Sequence, residues 1–552
     1  VTPPPPNPLA AALLRAFEAR ASAEQIAIRT RHGGREVFTG TRLGTEAGAL
    51  AETFRTWLAP PPRTLVLALP AGSDFILALL GGMLAGLTLV PVPLPRPGSH
   101  SDRFRHIAAD SGAAALLCLP AHADAVRAAL CLDGPAPCPV ATLPLDPAGL
   151  PAPAPAPGRA PEGAAPALVQ YTSGSTRLPK GVRVMPENIL ANAALVARAW
   201  GMDETARFVN WLPHYHDMGL MGGILYPLLC GGVSAQMSPL DFIRDPASWI
   251  AAIAAERAGF SGGPAFAFSD CLSRIGPEQA AAYDLSCWRR AFIGAEPVPA
   301  GLPAAFQARF APAGLRREAV FACYGMAEMT LFAAGLPGTG DGSGGVAPCG
   351  LTPDLAAGLA IVDPETGARR PDGAEGEIWL CGASVGASYI GPPEHSAGSF
   401  GARLDGRTGW LRSGDLGRIE DGALYVTGRI KDVVFCNGRT LSAPEIEWLA
   451  CGLSPALNPM AAALFMPDPE ASGRAVLIAE TRTARLPPDA EALARAIRHA
   501  VAGEWGLTLD RILFLPRGRL PRTSSGKIRR RAAAELWRAG KWQAGEMAQC
   551  LP

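Results

Sequence analysis

The stretch ALVQYTSGSTRLPKGVRV, Ala167–Val184, passes from an apolar run straight into five small or hydroxylated residues, Thr172, Ser173, Gly174, Ser175 and Thr176. Lys180–Gly181 follow just beyond. The apolar half, Ala167–Ser173, predicts a buried strand. The polar half suits phosphate. Small residues let backbone N–H groups approach phosphate oxygens, hydroxyls donate further hydrogen bonds, and the lysine adds a point charge. The spacing G-x-x-x-x-G-K-[ST] is absent, so this is not a Walker loop.

On the N-terminal side of this stretch, apolar runs of strand length recur at Thr64–Pro70 (TLVLALP) and Ala114–Pro120 (AALLCLP). Amphipathic segments at Ser101–Ser111 and Ala121–Leu130 lie around them. Strand–helix alternation of this kind predicts an α/β fold with largely parallel, buried sheets. The uncharged run Phe75–Pro95 is long enough to span a bilayer, but its punctuation argues otherwise. With Ser73 as N-cap, Gly86 at C′ and Pro91 and Pro93 beyond, it predicts a buried helix near Asp74–Ala85 and a strand near Leu87–Val92. The start of the chain has no basic region before an apolar run, as a signal peptide would. The low-complexity stretch Pro151–Pro166 reads as an extended surface connector.

The C-terminal part reads as a separate small α+β unit. Strands are expected at Ala461–Pro467, Ala475–Thr481 and Arg511–Arg517, with helices at Asp489–Gly503 and Ile528–Ala539. The boundary is expected near Gly428–Lys431, giving domains over residues 1–429 and 430–552.

The chain has 552 residues, room for about three or four core-sized units. It is 48% apolar and 18% charged, a globular composition. The net charge of +1 gives no electrostatic case for a nucleic-acid or anionic-membrane partner. The triplet Arg529–Arg531 accordingly reads as a solvated helix face. Twelve scattered cysteines without a C-x-x-C pair predict buried thiols and a cytoplasmic setting. Only four of the 50 basic residues are lysine, Lys180, Lys431, Lys527 and Lys541. Against so strong an arginine bias, each lysine asks for a reason.

Five segments in order resemble the motifs of the adenylate-forming ligases, the superfamily of acyl- and aryl-CoA synthetases, luciferases and fatty acyl-AMP ligases. They are Tyr171–Val182, GAEPV (Gly294–Val298), YGMAE (Tyr324–Glu328), WLRSGDLG (Trp410–Gly417) and LPRTSSGKIRRR (Leu520–Arg531). GRIKDVVFCNGR (Gly428–Arg439) is similar to the hinge into a small, mobile C-terminal domain. The resemblance covers nearly the whole chain. It implies ATP and Mg²⁺ as cofactors and assigns roles by position. Thr172, Ser173, Gly174, Ser175, Thr176 and Lys180 would hold the β- and γ-phosphates. Gly294, Ala295 and Glu296, with Tyr324, Gly325, Met326 and Ala327, would line the adenine. Glu328 would bind Mg²⁺ and Asp415 the ribose diol, with Arg429 in the nucleotide set and Lys431 at the hinge. Lys527 would reach the reacting carboxylate and the α-phosphate, as the attack of one anion on another requires.

WLPHYHDMGLMGG (Trp211–Gly223) is similar to the pattern of fatty acyl-AMP ligases, and places His216 where acyl pocket and nucleotide site meet, as a gate or orienting group. SGGPAFAFSDCL (Ser261–Leu272) supplies small and aromatic residues for an acyl tunnel. The branch implies a fatty acid substrate and an acyl carrier protein as acceptor. Two departures keep CoA in view. Only 22 positions separate Glu328 from Gly350, so the branch's usual insertion is missing, and GRTLSAPEIE (Gly438–Glu447) is worded more like a CoA ligase. An acyl- or aryl-CoA ligase is the rival reading. A non-catalytic adenylate-binding scaffold is the rival from another class.

Overall fold

The computed structural model describes residues 7–550 apart from 31–32, 61–62, 96–100, 133, 156–164, 173–177, 341, 343–344, 437–438, 468–473, 488, 524–525 and 543–547. Among the described residues two seven-stranded sheets form the body of the larger part. The first runs Val320–Ala322, Arg290–Gly294, Phe260–Pro264, Arg207–Asn210, Val233–Gln236, Glu24–Arg29 and Arg35–Thr39. It is parallel up to the last pair. The second runs Ser388–Tyr389, Gly181–Val184, Leu168–Tyr171, Thr88–Pro91, Thr64–Ala68, Ala115–Cys118 and Val140–Thr142. Its five strands from Leu168–Tyr171 onward are parallel, and its other edge is antiparallel. Most strands in both are buried on each face, which is why they read as continuous apolar runs rather than alternating ones.

The expected parallel sheets are therefore present, but a third sheet was not foreseen. Pro348–Gly350, Ala423–Arg429, Arg407–Glu420, Gly376–Leu380 and Leu359–Val362 pair antiparallel, with Ala402–Leu404 attached. The helices between its strands, Pro353–Ala357 and Glu394–Ala397, are only about one turn long, so the strand–helix signal does not reveal it.

The apolar run at residues 75–95 forms a helix, Ser73–Leu84, and a strand, Thr88–Pro91, with Gly86 left-handed at φ 75°. Ser73 is the first helical residue rather than the cap; the N-cap is Gly72, with no side-chain cap hydrogen bond. Among the described residues no helix is long and apolar enough to cross a membrane.

At the C-terminal end Leu457–Phe465, Arg474–Thr481, Thr508–Leu515 and Ala548–Cys550 form a mixed sheet. Successive side chains of a strand point to opposite faces, and this sheet uses both. Leu477 and Ala479 pack under helices Ala443–Gly452 and Ala490–Trp505. Val476 and Ile478 pack against Ala533 and Ala534 of helix Arg530–Arg538. These two cores draw only on residues from Val434 onward.

Candidate active site

In open parallel sheets, ligands bind beyond the carboxyl ends of the strands. The motif segments follow those ends. Strand Arg207–Asn210 leads into Trp211–His216, Arg290–Gly294 into Ala295–Glu296, Val320–Ala322 into Tyr324, and Leu168–Tyr171 into Thr172. They meet around one cavity of about 640 Å³, walled also by the C-terminal segment around Lys527. Ala295 sits at φ 69°, a left-handed conformation that a residue with a Cβ adopts at a cost, and that recurs at functional sites. Gly325 is required by space. A Cβ there would lie 1.8 Å from the Leu331 carbonyl oxygen.

Asp415 is buried and held from two sides. The Tyr324 hydroxyl donates to Oδ2 at 2.8 Å, and Arg429 Nε donates to Oδ1 at 2.9 Å. The turn before it is fixed by Glu377, also buried, which accepts from Gly414 N at 3.1 Å and from Arg412 Nε at 3.0 Å. Asp415 also raises the pKa of Arg429, so the guanidinium stays charged.

Glu328 is buried at 7% exposure, and burial pushes its pKa up against a hydrogen bond from Tyr389. The Tyr389 hydroxyl reaches Oε1 at 2.7 Å. The Lys180 ammonium lies 4.7 Å from the centre of the Tyr389 ring. A buried carboxylate without a cationic hydrogen-bond partner fits a divalent cation. Among the described residues no cluster of three His, Cys, Asp or Glu forms a closed metal cage. That is the arrangement Mg²⁺ accepts, with one carboxylate, waters and substrate phosphates as ligands.

The Trp211–Gly223 segment separates its two histidines by role. His214 is buried, hydrogen-bonds Gln236 Oε1 at 3.0 Å, and has its pKa lowered to about 4 by burial, a structural histidine. His216 faces the cavity with Nδ1 2.7 Å from Asp217 Oδ1. Asp217 then opens a π-helical turn, Met218–Leu225, by accepting from Met218 N at 2.7 Å. Behind it an apolar arm of the cavity is walled by Trp200, Phe208, Tyr226, Phe292 and Phe332.

Lys527 enters from the C-terminal end. Its segment closes a tight turn, with Lys527 N donating to Thr523 Oγ1 at 3.1 Å and Gly526 at φ 88°. Arg522 bridges the Gly526 carbonyl and buried Glu480, at 3.1 and 2.8 Å. A Cβ on Gly526 would come within 3.0 Å of Phe266, whose own N–H donates to Glu296 Oε1 at 3.2 Å. Burial lowers the Lys527 pKa, the charge of Arg429 adds to this, and Asp217, Glu296 and Asp415 oppose it.

Thr172, Lys180, Ala295, Glu296, Tyr324, Gly325, Met326, Ala327, Glu328, Asp415, Arg429, Lys431, His216 and Lys527 thus share one wall-to-wall cavity. Gly294 stands just behind, where a Cβ would lie 2.7 Å from Cys323 Sγ. Ser173, Gly174, Ser175 and Thr176 lie outside the described residues. The Arg529–Arg531 reading needs correction: Arg530 is not a solvated charge. It opens helix Arg530–Arg538 and forms a forked pair with buried Glu447 of helix Ala443–Gly452, at 2.7 and 2.6 Å. Tyr389, Glu377 and Arg412 were missed. Only the SYIG wording at Ser388–Gly391, an aromatic after a glycine-rich stretch, could have drawn attention to the first.

Residues 16–390 match the family model described as AMP-binding enzyme. The chain is 33% identical to the long-chain-fatty-acid–AMP ligase FadD26 of Mycobacterium marinum over 92% of both chains. It is 35% identical to the medium-chain-fatty-acid–[acyl-carrier-protein] ligase TtuA of Teredinibacter turnerae, over 66% of this chain and 62% of that one. Among solved structures, one of the fatty acyl-adenylate ligases of E. coli and L. pneumophila matches with a TM-score of 0.80 at 27% identity, covering 96% of this chain and 98% of the other.

Proposed function

The chain belongs to the AMP-binding enzyme family, and on that premise we propose that it activates a fatty acid with ATP. The product is acyl-AMP, with release of pyrophosphate, and the acyl group then passes to the phosphopantetheine thiol of an acyl carrier protein. The observation that carries this reading is the convergence of Lys527, Asp415 and Glu328 on one cavity that continues into an apolar arm. A nucleotide and an acyl chain need those two environments side by side.

In this reading the fatty carboxylate lies at the mouth of the arm, near His216, and attacks the α-phosphorus. The Lys527 ammonium sits between the two anions and stabilises the charge that shifts as the new P–O bond forms and the bond to pyrophosphate breaks. Asp415 takes the ribose hydroxyls, and the Tyr324–Ala327 and Ala295–Glu296 segments frame the base. Thr172 and Lys180 mark the two ends of the phosphate-holding segment. Glu328 would hold Mg²⁺, which supplies charge neutralisation on the phosphates. Residues 430–552 act as a small domain that turns at Lys431, an exposed residue in a 3₁₀ turn, Ile430–Asp432. Withdrawing Lys527 by that turn would open the adenylate to a thiol.

The test is fatty-acid-dependent exchange of pyrophosphate into ATP across acids of C4 to C18. Exchange with at least one of them is expected, and none with any would refute the proposal. CoA as acceptor is the second reading, favoured by the short connection between Phe332–Ala334 and Pro348–Gly350. Supplying ATP and acid with CoA or with a holo carrier protein separates them; CoA thioester at a comparable rate would favour the second.

A further inference from the structure

Three arginines on the cavity wall are matched by buried carboxylates. Arg412 pairs with Glu377, Arg429 with Asp415 and Arg530 with Glu447. Arg103 and Arg529 also line this cavity, and among the described residues neither guanidinium has a carboxylate or hydrogen-bond partner. The Arg103 Nε is buried without an acceptor, and the Oε1 of Gln170, on the wall of the same cavity, is equally unsatisfied. Burial lowers the Arg103 pKa, and the charge of Arg529 lowers it further. A guanidinium whose Nε is shut off from water, with a second guanidinium close by, is costly unless an anion lies between them.

The surroundings indicate which anion. Arg103 is carried by helix Ser101–Asp110, and that helix is tied to both ends of the segment expected to hold phosphate. Its Asp110 accepts from the Tyr171 hydroxyl at 2.7 Å, and its His106 Nε2 lies 3.3 Å from the Pro179 carbonyl oxygen. Arg529 stands two residues after Lys527, in a strand-like segment whose Arg529 N donates to the Pro521 carbonyl at 2.8 Å. It therefore arrives at the cavity together with Lys527. The ribose end of the nucleotide, at Asp415, has its own charged partners and needs neither arginine.

We propose that Arg103 and Arg529 form a two-arginine clamp for the terminal phosphates of ATP and for the pyrophosphate that leaves. This rests on the adenylation reading and adds to it. The anion is the counter-ion between a helix near the N-terminus and the C-terminal lysine segment. Two forked donors suit phosphate oxygens. Once pyrophosphate departs, two like charges face each other across that contact, and the Lys527 segment loses part of what held it in place.

The test measures binding of inorganic pyrophosphate and of AMP, separately, to the full-length protein by calorimetry. Arg103→Ala and Arg529→Ala should each weaken pyrophosphate by roughly ten- to a hundredfold and leave AMP nearly unchanged, with partial recovery in Arg103→Lys. Should Arg103→Ala lose AMP as well, Arg103→Gln, which keeps the stem, decides in its place. Unchanged pyrophosphate affinity beside intact AMP binding would overturn the clamp. So would variants that raise only the KM for a holo carrier protein, which would assign the pair to a different phosphate. If the unaltered protein binds neither AMP nor pyrophosphate, the adenylation reading itself fails.

Discussion

Asp415 and Lys527 face the same cavity but are held in opposite ways. Asp415 lies in a sheet, nearly sealed from water, with Tyr324 and Arg429 on its two oxygens and Glu377 behind its turn. Its geometry is set before any ligand arrives, which is what electrostatic preorganisation requires. Lys527 lies on a turn held at a distance by Arg522–Glu480 and by the contact of Gly526 with Phe266. On the proposed function, the fixed wall would recognise the nucleotide, while the delivered lysine would act on a reacting bond that exists for only one of two half-reactions. A group on a movable segment can be withdrawn; a group in a sheet cannot.

The contrast has consequences of graded size. Removing the delivered charge should cost most. Lys527→Ala should lower the adenylation rate by roughly 10²–10³, with AMP affinity retained in a direct binding assay. Freezing the delivery should come next. Lys431→Pro should reduce thiol transfer by roughly a hundredfold, the scale of a misplaced reacting group, while pyrophosphate exchange stays close to normal. Equal loss of both half-reactions would count against a hinge there. On the fixed wall, Asp415→Asn weakens a charge-assisted contact and strands Arg429, so the KM for ATP should rise by roughly tenfold or somewhat more.

The lowered pKa of Lys527 adds a pH signature. In the proposed mechanism the ammonium is the active form, so adenylation should fall as pH rises through a value below the ordinary 10.5, by about tenfold per pH unit. A flat alkaline limb in the pH–rate profile would contradict this. The smallest effect belongs to Tyr389→Phe, which removes one hydrogen bond from Glu328. It should change apparent Mg²⁺ affinity by about fivefold, read from the Mg²⁺ dependence of exchange.

Much of this site was legible because its parts are local in sequence. A strand end followed by a loop, as at Tyr171–Thr172 or Gly294–Glu296, leaves a signature a few residues long. The lysine count was legible for the same reason. Lys180, Lys431 and Lys527 line the cavity, whereas Lys541 does not. What escaped was the support. Tyr324 and Asp415 are 91 positions apart, Tyr389 and Glu328 61, Arg530 and Glu447 83. Such pairs are set by tertiary packing, and neither partner's neighbours announce the other. The same distance hid the role of Arg530, since an arginine triplet beginning a helix looks the same whether water or a carboxylate faces it.

The division between fixed wall and delivered lysine is tested most directly by giving Lys527→Ala a preformed acyl-adenylate and a holo carrier protein, and following acyl transfer by mass spectrometry. The account predicts transfer near the rate of the unaltered protein, although adenylation from ATP has collapsed. Transfer reduced by the same factor as adenylation would contradict it.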